Sequence, residues 1–283
     1  MRGDAAVGDG PSLCCVPVSW PTGFGELARQ LTLASAARQR WPDLRCHFIL
    51  NRHLPAAARG LLPPWGDVSW LDTSPTEDDR GVAAALDRCR PTVVLFDNAG
   101  SGRQCRHARR LGARTVFLST RQRTLVRGFG RDWLRWLDEH WIVGPRALAE
   151  PLSASHRLRA ALCGIRLRRL QSLFAPRDTS PRRAFGGGDQ PYVCFVPGGG
   201  GGLVDGRAAA TVFADAAAIV ARRTTAPCLL LLGPLFTGVE PLRSGVTIHR
   251  ATHADTVDLV ANAHVVVLGA SSSLFQALAQ GKV

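Results

Sequence analysis

Tyr192-Val193-Cys194-Phe195-Val196-Pro197-Gly198-Gly199-Gly200-Gly201-Gly202-Leu203-Val204-Asp205 decides how this chain is read. The apolar run 192–196 has the length and composition of a buried strand. Five glycines follow, and the alanine-rich stretch 206–223 then reads as a helix. Glycine loses more conformational freedom on folding than any other residue. Five in a row are therefore either a floppy loop or a place where a ligand approaches the main chain. A strand, a glycine loop and a helix N-terminus can cradle phosphate without a metal. The lysine and hydroxyl of a Walker loop are absent, which excludes ATP hydrolysis of that kind.

Outward from this stretch the same alternation continues. Toward the C-terminus, strands are expected at 227–232, 246–249 and 264–268, with helices at 255–261 and 272–280. Toward the N-terminus, strands are expected at 13–18, 46–50, 68–71, 92–96, 115–118 and 141–143. Helices separate them, the clearest at 26–40, where Leu27, Leu31 and Ala34 recur at helical spacing until Pro42-Asp43 stops it. Further helices are expected at 80–90 and 103–111. Ala175-Pro176-Arg177-Asp178-Thr179-Ser180-Pro181 and Gly186-Gly187-Gly188 mark a linker. The expected fold class is α/β, with two Rossmann-like parallel-sheet domains at 12–174 and 191–283 joined by a linker at 175–190. Ligands of such sheets bind at the carboxyl ends of the strands.

The 283 residues are 46% hydrophobic and 20% charged, which excludes a disordered chain. No apolar run approaches the roughly 20 residues of a membrane-spanning helix. Met1-Arg2-Gly3-Asp4 is not followed by an apolar core, so a soluble, cytoplasmic protein without a secretory signal is expected. The net charge is +13, and only +1 of it lies between Pro191 and the end. The basic first region would attract an anionic partner, while no nucleic-acid module is present. The eight cysteines form no CxxC pair, and most lie in apolar runs, so buried free thiols in a reducing compartment are favoured over metal or disulfide use.

Two further turns carry candidate chemistry. The first strand leads into Pro21-Thr22-Gly23-Phe24-Gly25-Glu26-Leu27-Ala28-Arg29. Gly23 and Gly25 allow close backbone approach at a positive helix end, but the third glycine of GxGxxG is missing. Glu26 is either a carboxylate complementing the helix dipole or a base, with Arg29 one turn on able to hold an anion. Asp97, ending the 92–96 strand and followed by Asn98-Ala99-Gly100, is either a turn former or a competing base. Near the end, Val265-Val266-Val267-Leu268-Gly269-Ala270-Ser271-Ser272-Ser273 runs from a strand into hydroxyls that open a helix.

Together these segments resemble the GT-B glycosyltransferases. The likeness is greatest to the branch holding the lipid-linked N-acetylglucosaminyl transferase of peptidoglycan synthesis and the nucleotide-sugar hydrolase of pseudaminic acid synthesis. Three segments match in order: the GxGHxxR-like turn from Gly23 to Arg29, the glycine loop opening the second domain, and a "GAS…GK" segment ending at Lys282. Glu26 stands where the family's usual histidine would be, and Gln276 where an acidic residue binds ribose. The family pattern continues beyond Gly281-Lys282-Val283, so the resemblance implies a second domain truncated at its C-terminus.

The resemblance implies a metal-independent transferase moving a sugar from a nucleotide-sugar donor, with no cofactor, to an anionic or lipid-linked acceptor. It also leaves open a nucleotide-sugar hydrolase or epimerase, or a catalytically degenerate binding protein. Glu26 or Asp97 would be the base; Gly198, Gly199, Gly200, Gly201, Ser271, Ser272 and Ser273 would hold phosphate, and Gln276 the ribose. His249, Arg250 and Thr252 would border the nucleobase. Gly23, Gly25 and Arg29 would face the acceptor or phosphate, and no metal ligands are expected. His253 reads as a helix-start residue. Finally, Trp133, Trp136 and Leu137, at i, i+3 and i+4 among arginines, either pack on the first sheet or lie on an anionic membrane at the inner face.

Overall fold

The computed structural model describes residues 10–18, 25–144, 151–171, 173, 190–233, 235–251, 253–269 and 272–281. They divide into two compact units, with the boundary after Leu173. The first unit is built on β1 (Ser12–Pro17), α1 (Gly25–Arg40), β2 (Arg45–Asn51), and, after the short α2 (Ala56–Arg59), β3 (Gly66–Leu71). The segment Pro55–Gly60 that carries α2 groups with the second unit. There follow α3 (Asp79–Cys89), β4 (Val93–Asp97), α4 (Gly102–Arg110), β5 (Arg114–Ser119), α5 (Gln122–Gly128), α6 (Arg131–Leu134), β6 (Glu139–Val143), α7 (Ala154–Leu162) and β7 (Arg166–Leu170).

The seven strands form one parallel sheet in the order β3-β2-β1-β4-β5-β6-β7. Its central strands are continuous apolar runs because both faces are covered. Cys14, Val94, Phe96 and Phe117 point to the face under α3 to α6, and Leu95, Val116 and Leu118 to the opposite one. Local sequence fixes the helix ends. Asp78 caps α3 by accepting from the Gly81 amide at 2.7 Å, and Ser101 caps α4 from Gln104.

β7 is absent from the sequence expectations because three of its five residues are arginine. A charged edge suits a strand with one open side. The buried carboxylate of Glu139 on neighbouring β6 takes Arg168 at 2.7 Å and Arg166 at 3.4 Å. Burial works to raise its pKa, but the Trp141 indole and Arg168 outweigh it and hold the carboxyl below its ordinary value.

The Trp-rich stretch forms no membrane-facing helix. α6 is four residues long, and Trp133 is 4% exposed, packed on Phe96 and Phe117 with ring centroids 5.5 and 4.6 Å away. Leu137 is buried and Trp136 half-buried in the same core. The packing reading therefore holds over the membrane one for Trp133. Among the described residues no helix is long and apolar enough to cross a membrane.

The second unit contains β8 (Val193–Val196), β9 (Leu203–Val204), β10 (Arg207–Ala208), α8 (Ala209–Arg223), β11 (Cys228–Leu232), β12 (Val246–Arg250), α9 (His253–Asn262), β13 (Val265–Leu268) and α10 (Ser272–Ala279). Its four long strands form a parallel sheet in the order β12-β11-β8-β13. Side chains alternate along it: Phe195, Cys228 and Leu230 meet α8, while Cys194, Leu229 and Leu231 meet the α9 and α10 side. One expectation is corrected. Residues 206–208 are not helical: Asp205 and Gly206, at φ 48° and 76°, turn the β9–β10 hairpin, and α8 starts at Ala209. Asp-Gly is a strong signal for such a two-residue turn.

Candidate functional site

In an open parallel sheet, connections leave two adjacent strands in opposite directions at one place, and a crevice opens at their carboxyl ends. In the first unit that place lies between β1 and β4. Asp97 ends β4 opposite Pro17, wholly buried. Arg29, on the buried side of α1, meets it with two parallel bonds: Nε donates to Oδ2 at 2.8 Å and Nη2 to Oδ1 at 2.7 Å. Burial pushes the Asp97 carboxyl up to about 6 against the pull of Arg29, and the nearby Glu26 carboxylate adds to the rise. Burial works against the Arg29 charge too, but Asp97 outweighs it and raises its pKa. Arg29 is thus a buried cation with a dedicated carboxylate, a partner the sequence reading did not assign to it.

Glu26, in the first turn of α1, keeps a side chain 12% exposed. Asn98 reaches it from the end of β4: Nδ2 donates to Glu26 Oε1 at 3.1 Å and to Thr120 Oγ1 at 2.8 Å. The Asn98 backbone sits at φ 50°, a left-handed conformation that asparagine tolerates better than most residues. Arg127 of α5 locks this turn, Nη2 donating to the Asn98 carbonyl at 2.6 Å, with its guanidinium over the Phe117 ring. Burial lowers the Arg127 pKa, and its Nε is buried without a partner among the described residues. Arg121, largely exposed, stands 3.9 Å from Glu26. The sequence reading missed Asn98, Thr120, Arg121 and Arg127; only Asn98, beside an aspartate at a strand end, carried a signal.

In the second unit the corresponding place lies between β8 and β13, which pair with Val196 opposite Leu268. The glycine loop leaves β8 and the serine corner leaves β13, so the two start side by side. The Gly269 amide donates to the Val196 carbonyl at 3.2 Å. The loop is exposed at Gly199, Gly201 and Gly202. Among the described residues, none of the 198–202 amides donates to another residue. Gly200, at φ 115°, lies so close to the Phe236 amide that a Cβ would collide with it, and Gly199 accepts from the Leu235 amide at 2.8 Å. Glycine at 200 is therefore required by packing against the loop after β11 as well as by any ligand.

Arg250, ending β12, is tied to that same loop, bonding Glu240 at 2.7 Å and the Phe236 carbonyl at 3.2 Å. His249 is exposed beside it. Ser272 and Gln276 lie in α10, which opens at Ser272, and Ser273 is half-buried there. Gly25 is the first residue of α1. Gly23, Thr252 and Ser271 lie outside the described residues, as does most of the 175–190 linker. Asp78 and Asp79 are engaged at the start of α3.

No family model and no curated protein matches this chain. Solved structures do. The calicheamicin glycosyltransferase CalG4 is 14% identical, with a TM-score of 0.55 over 97% of this chain and 79% of that one. UGT2 of Phytolacca americana, solved with UDP-2-fluoro-glucose and pterostilbene, is 12% identical with a TM-score of 0.60 over 96% and 79%. UGT89C1 of Arabidopsis thaliana, solved with UDP-L-rhamnose, is 13% identical with a TM-score of 0.59 over 97% and 78%. At these identities the likeness is one of fold: the chain has the GT-B fold of these glycosyltransferases.

Proposed function

We propose that the chain is a nucleotide-sugar glycosyltransferase whose second unit holds the donor and whose first unit supplies the base. The observation that carries this is the second switch point. Exposed, undonated glycine amides and a hydroxyl-rich helix start leave adjacent strand ends, the backbone chemistry that binds a diphosphate. Two of the solved structures named above hold UDP-sugars, which makes uridine nucleotides the first donors to test. The amides of Gly198, Gly199, Gly200 and Gly201 and the hydroxyls of Ser271, Ser272 and Ser273 receive the diphosphate. Gln276 bonds the ribose through its amide, and His249, Arg250 and Thr252 border the base.

The reaction joins an acceptor oxygen to the anomeric carbon as the bond from that carbon to the diphosphate oxygen breaks. The electron pair leaves with the nucleoside diphosphate, and the glycine amides stabilise its charge. No metal is needed for that step in this reading. Glu26 takes the acceptor proton, since of the two buried carboxylates at the first switch point it alone keeps some exposure, 12% of its side chain against none for Asp97. Asp97, sealed against Arg29, is a positioning residue: the pair fixes α1 against β4 and so sets where Glu26 stands. Gly23 and Gly25 let the acceptor approach the backbone.

The test is incubation with UDP-, GDP-, CMP- and dTDP-sugars, following nucleotide release with and without neutral and anionic acceptors, in the presence and absence of EDTA. Release that needs an acceptor and survives EDTA supports the proposal. Release in water alone makes the chain a hydrolase, and tight donor binding without release makes it a degenerate binder.

A further inference from the structure

The first unit has a second polar feature that neither switch point uses. Where α3, α4 and α6 approach one another, a cavity of about 1020 Å³ opens, lined by Arg103, Arg106, Arg131 and Arg135. All four side chains are exposed. Three other arginines of this unit have acceptors within 3 Å: Arg29 on Asp97, Arg109 on Asp138 and Arg168 on Glu139. By contrast, Arg106, Arg131 and Arg135 have no partner among the described residues, and Arg103 comes only within 3.8 Å of Asp79. Asp79 and Asp132 also line the cavity, but Asp79 already accepts from Ser101 and Gln104. Four guanidiniums against two carboxylates leave an excess of positive charge.

These groups are held on a fixed frame. Gly102, the first residue of α4, is pressed against Asp132 so tightly that a Cβ would meet its carbonyl oxygen at 2.5 Å. The nine-residue α4, capped by Ser101, directs its N-terminus into the same space. Clustered like charges repel one another unless an anion shares the space. Guanidinium matches phosphate with paired bonds, which no compact cation does. The cavity is also much larger than one phosphate group, and the half-buried Trp136 indole lines it.

We propose that this cavity binds a phosphate-bearing anion, the guanidiniums taking the phosphate and the space beside Trp136 the body attached to it. The phosphate can belong to a soluble molecule or to a lipid headgroup. The proposal stands whether or not the chain transfers sugars, because none of these residues belongs to either switch point.

Cys163 lines the cavity and is the one exposed cysteine of the chain, so it serves as a native reporter. Its alkylation by iodoacetamide in the full chain is followed by mass spectrometry at constant ionic strength. The additions are pyrophosphate, or phosphatidylcholine vesicles with or without phosphatidic acid. Pyrophosphate is expected to slow labelling at least threefold, with half-effect below about 1 mM. The protection should vanish in Arg106→Ala/Arg135→Ala and persist in the charge-matched Arg222→Ala/Arg223→Ala, whose residues are exposed on α8. Protection by phosphatidic acid vesicles alone, with the same dependence on variants, assigns the site to a headgroup. Calorimetric titration of Cys163→Ser with pyrophosphate, set against the same titration of Cys163→Ser/Arg106→Ala/Arg135→Ala, gives a second reading that does not depend on the thiol. Any heat from the glycine loop is common to both, and only the cavity's binding heat is lost. Absence of both protection and that difference in heat, or equal loss in the two double variants, overturns the proposal. Thermal melts of both variants should stay close to that of the parent.

Discussion

The two switch points share a topology and differ in chemistry. In each, the first strand sits inside the sheet, the next two strands extend to one side and the fourth to the other. The first is furnished with side chains, a sealed Arg29–Asp97 pair beside Glu26, Asn98 and Thr120. The second is furnished with main chain, a glycine loop whose Gly199 carbonyl is held by the Leu235 amide and which is open toward solvent. In a buried charge pair, removing one partner leaves the other charge uncompensated in the core, so each depends on the other. A glycine loop presents several N–H groups at once but depends on backbone shape. The same framework can therefore host proton transfer at one place and anion binding at another.

If that division of labour is right, Glu26→Gln gives the largest effect. Transfer should fall roughly 10²- to 10⁴-fold with little change in melting temperature. A residue that only complemented the helix dipole would instead cost about 0.3–1 kcal/mol of stability and leave turnover intact. Arg29→Ala strands Asp97 in the core, and calorimetric unfolding of the variant should show a loss of about 3–5 kcal/mol. Gly200→Val collides with the Phe236 amide and sits at φ 115°, so donor affinity should weaken roughly tenfold or more while the first unit's core stays intact. Calorimetric titration with UDP checks it.

The first site also has a pH signature. Asp97 titrates near 6 in the folded chain against an ordinary value of 3.8. An acid with a raised folded pKa favours the folded state below its ordinary value, and this contribution is lost as pH rises through the folded value. Between pH 4 and 6 the parent should therefore lose stability relative to Asp97→Asn, by an amount on the order of a few kcal/mol. Denaturant melts across that window read the difference directly. The smallest effect belongs to the second unit: Arg250→Ala breaks an exposed pair with Glu240 and should cost no more than about 1 kcal/mol of stability.

Much of the framework was legible because strand and helix periods differ so plainly. Apart from the arginine-rich β7, the strands of both parallel sheets fall within a residue or two of the apolar runs, and Asp97 stood out as an acid at a strand end. The Arg29–Asp97 pair was not legible, since its partners lie 68 residues apart and pattern reading along the chain carries no long-range information. The β9–β10 hairpin was legible in principle from Asp205-Gly206, but the alanine run beyond it drew the helix too far back. Trp133, Trp136 and Leu137 left packing and a membrane face open, because i, i+3, i+4 spacing cannot distinguish a surface helix from buried side chains; α6 in fact ends at Leu134, with Trp133 and Leu137 buried. Residues of the anion cavity gather from α3, α4 and α6, and no local motif announces such a gathering.

The central claim is that glycine amides and the adjoining serine-rich helix start receive the donor diphosphate. It is tested most directly by following the backbone amide resonances of the 15N-labelled chain during titration with UDP and UDP-glucose. The account predicts the largest shifts at Gly198, Gly199, Gly200, Gly201, Ser272 and Ser273, saturating together. Saturable shifts confined to other residues, with those six unmoved, would contradict it.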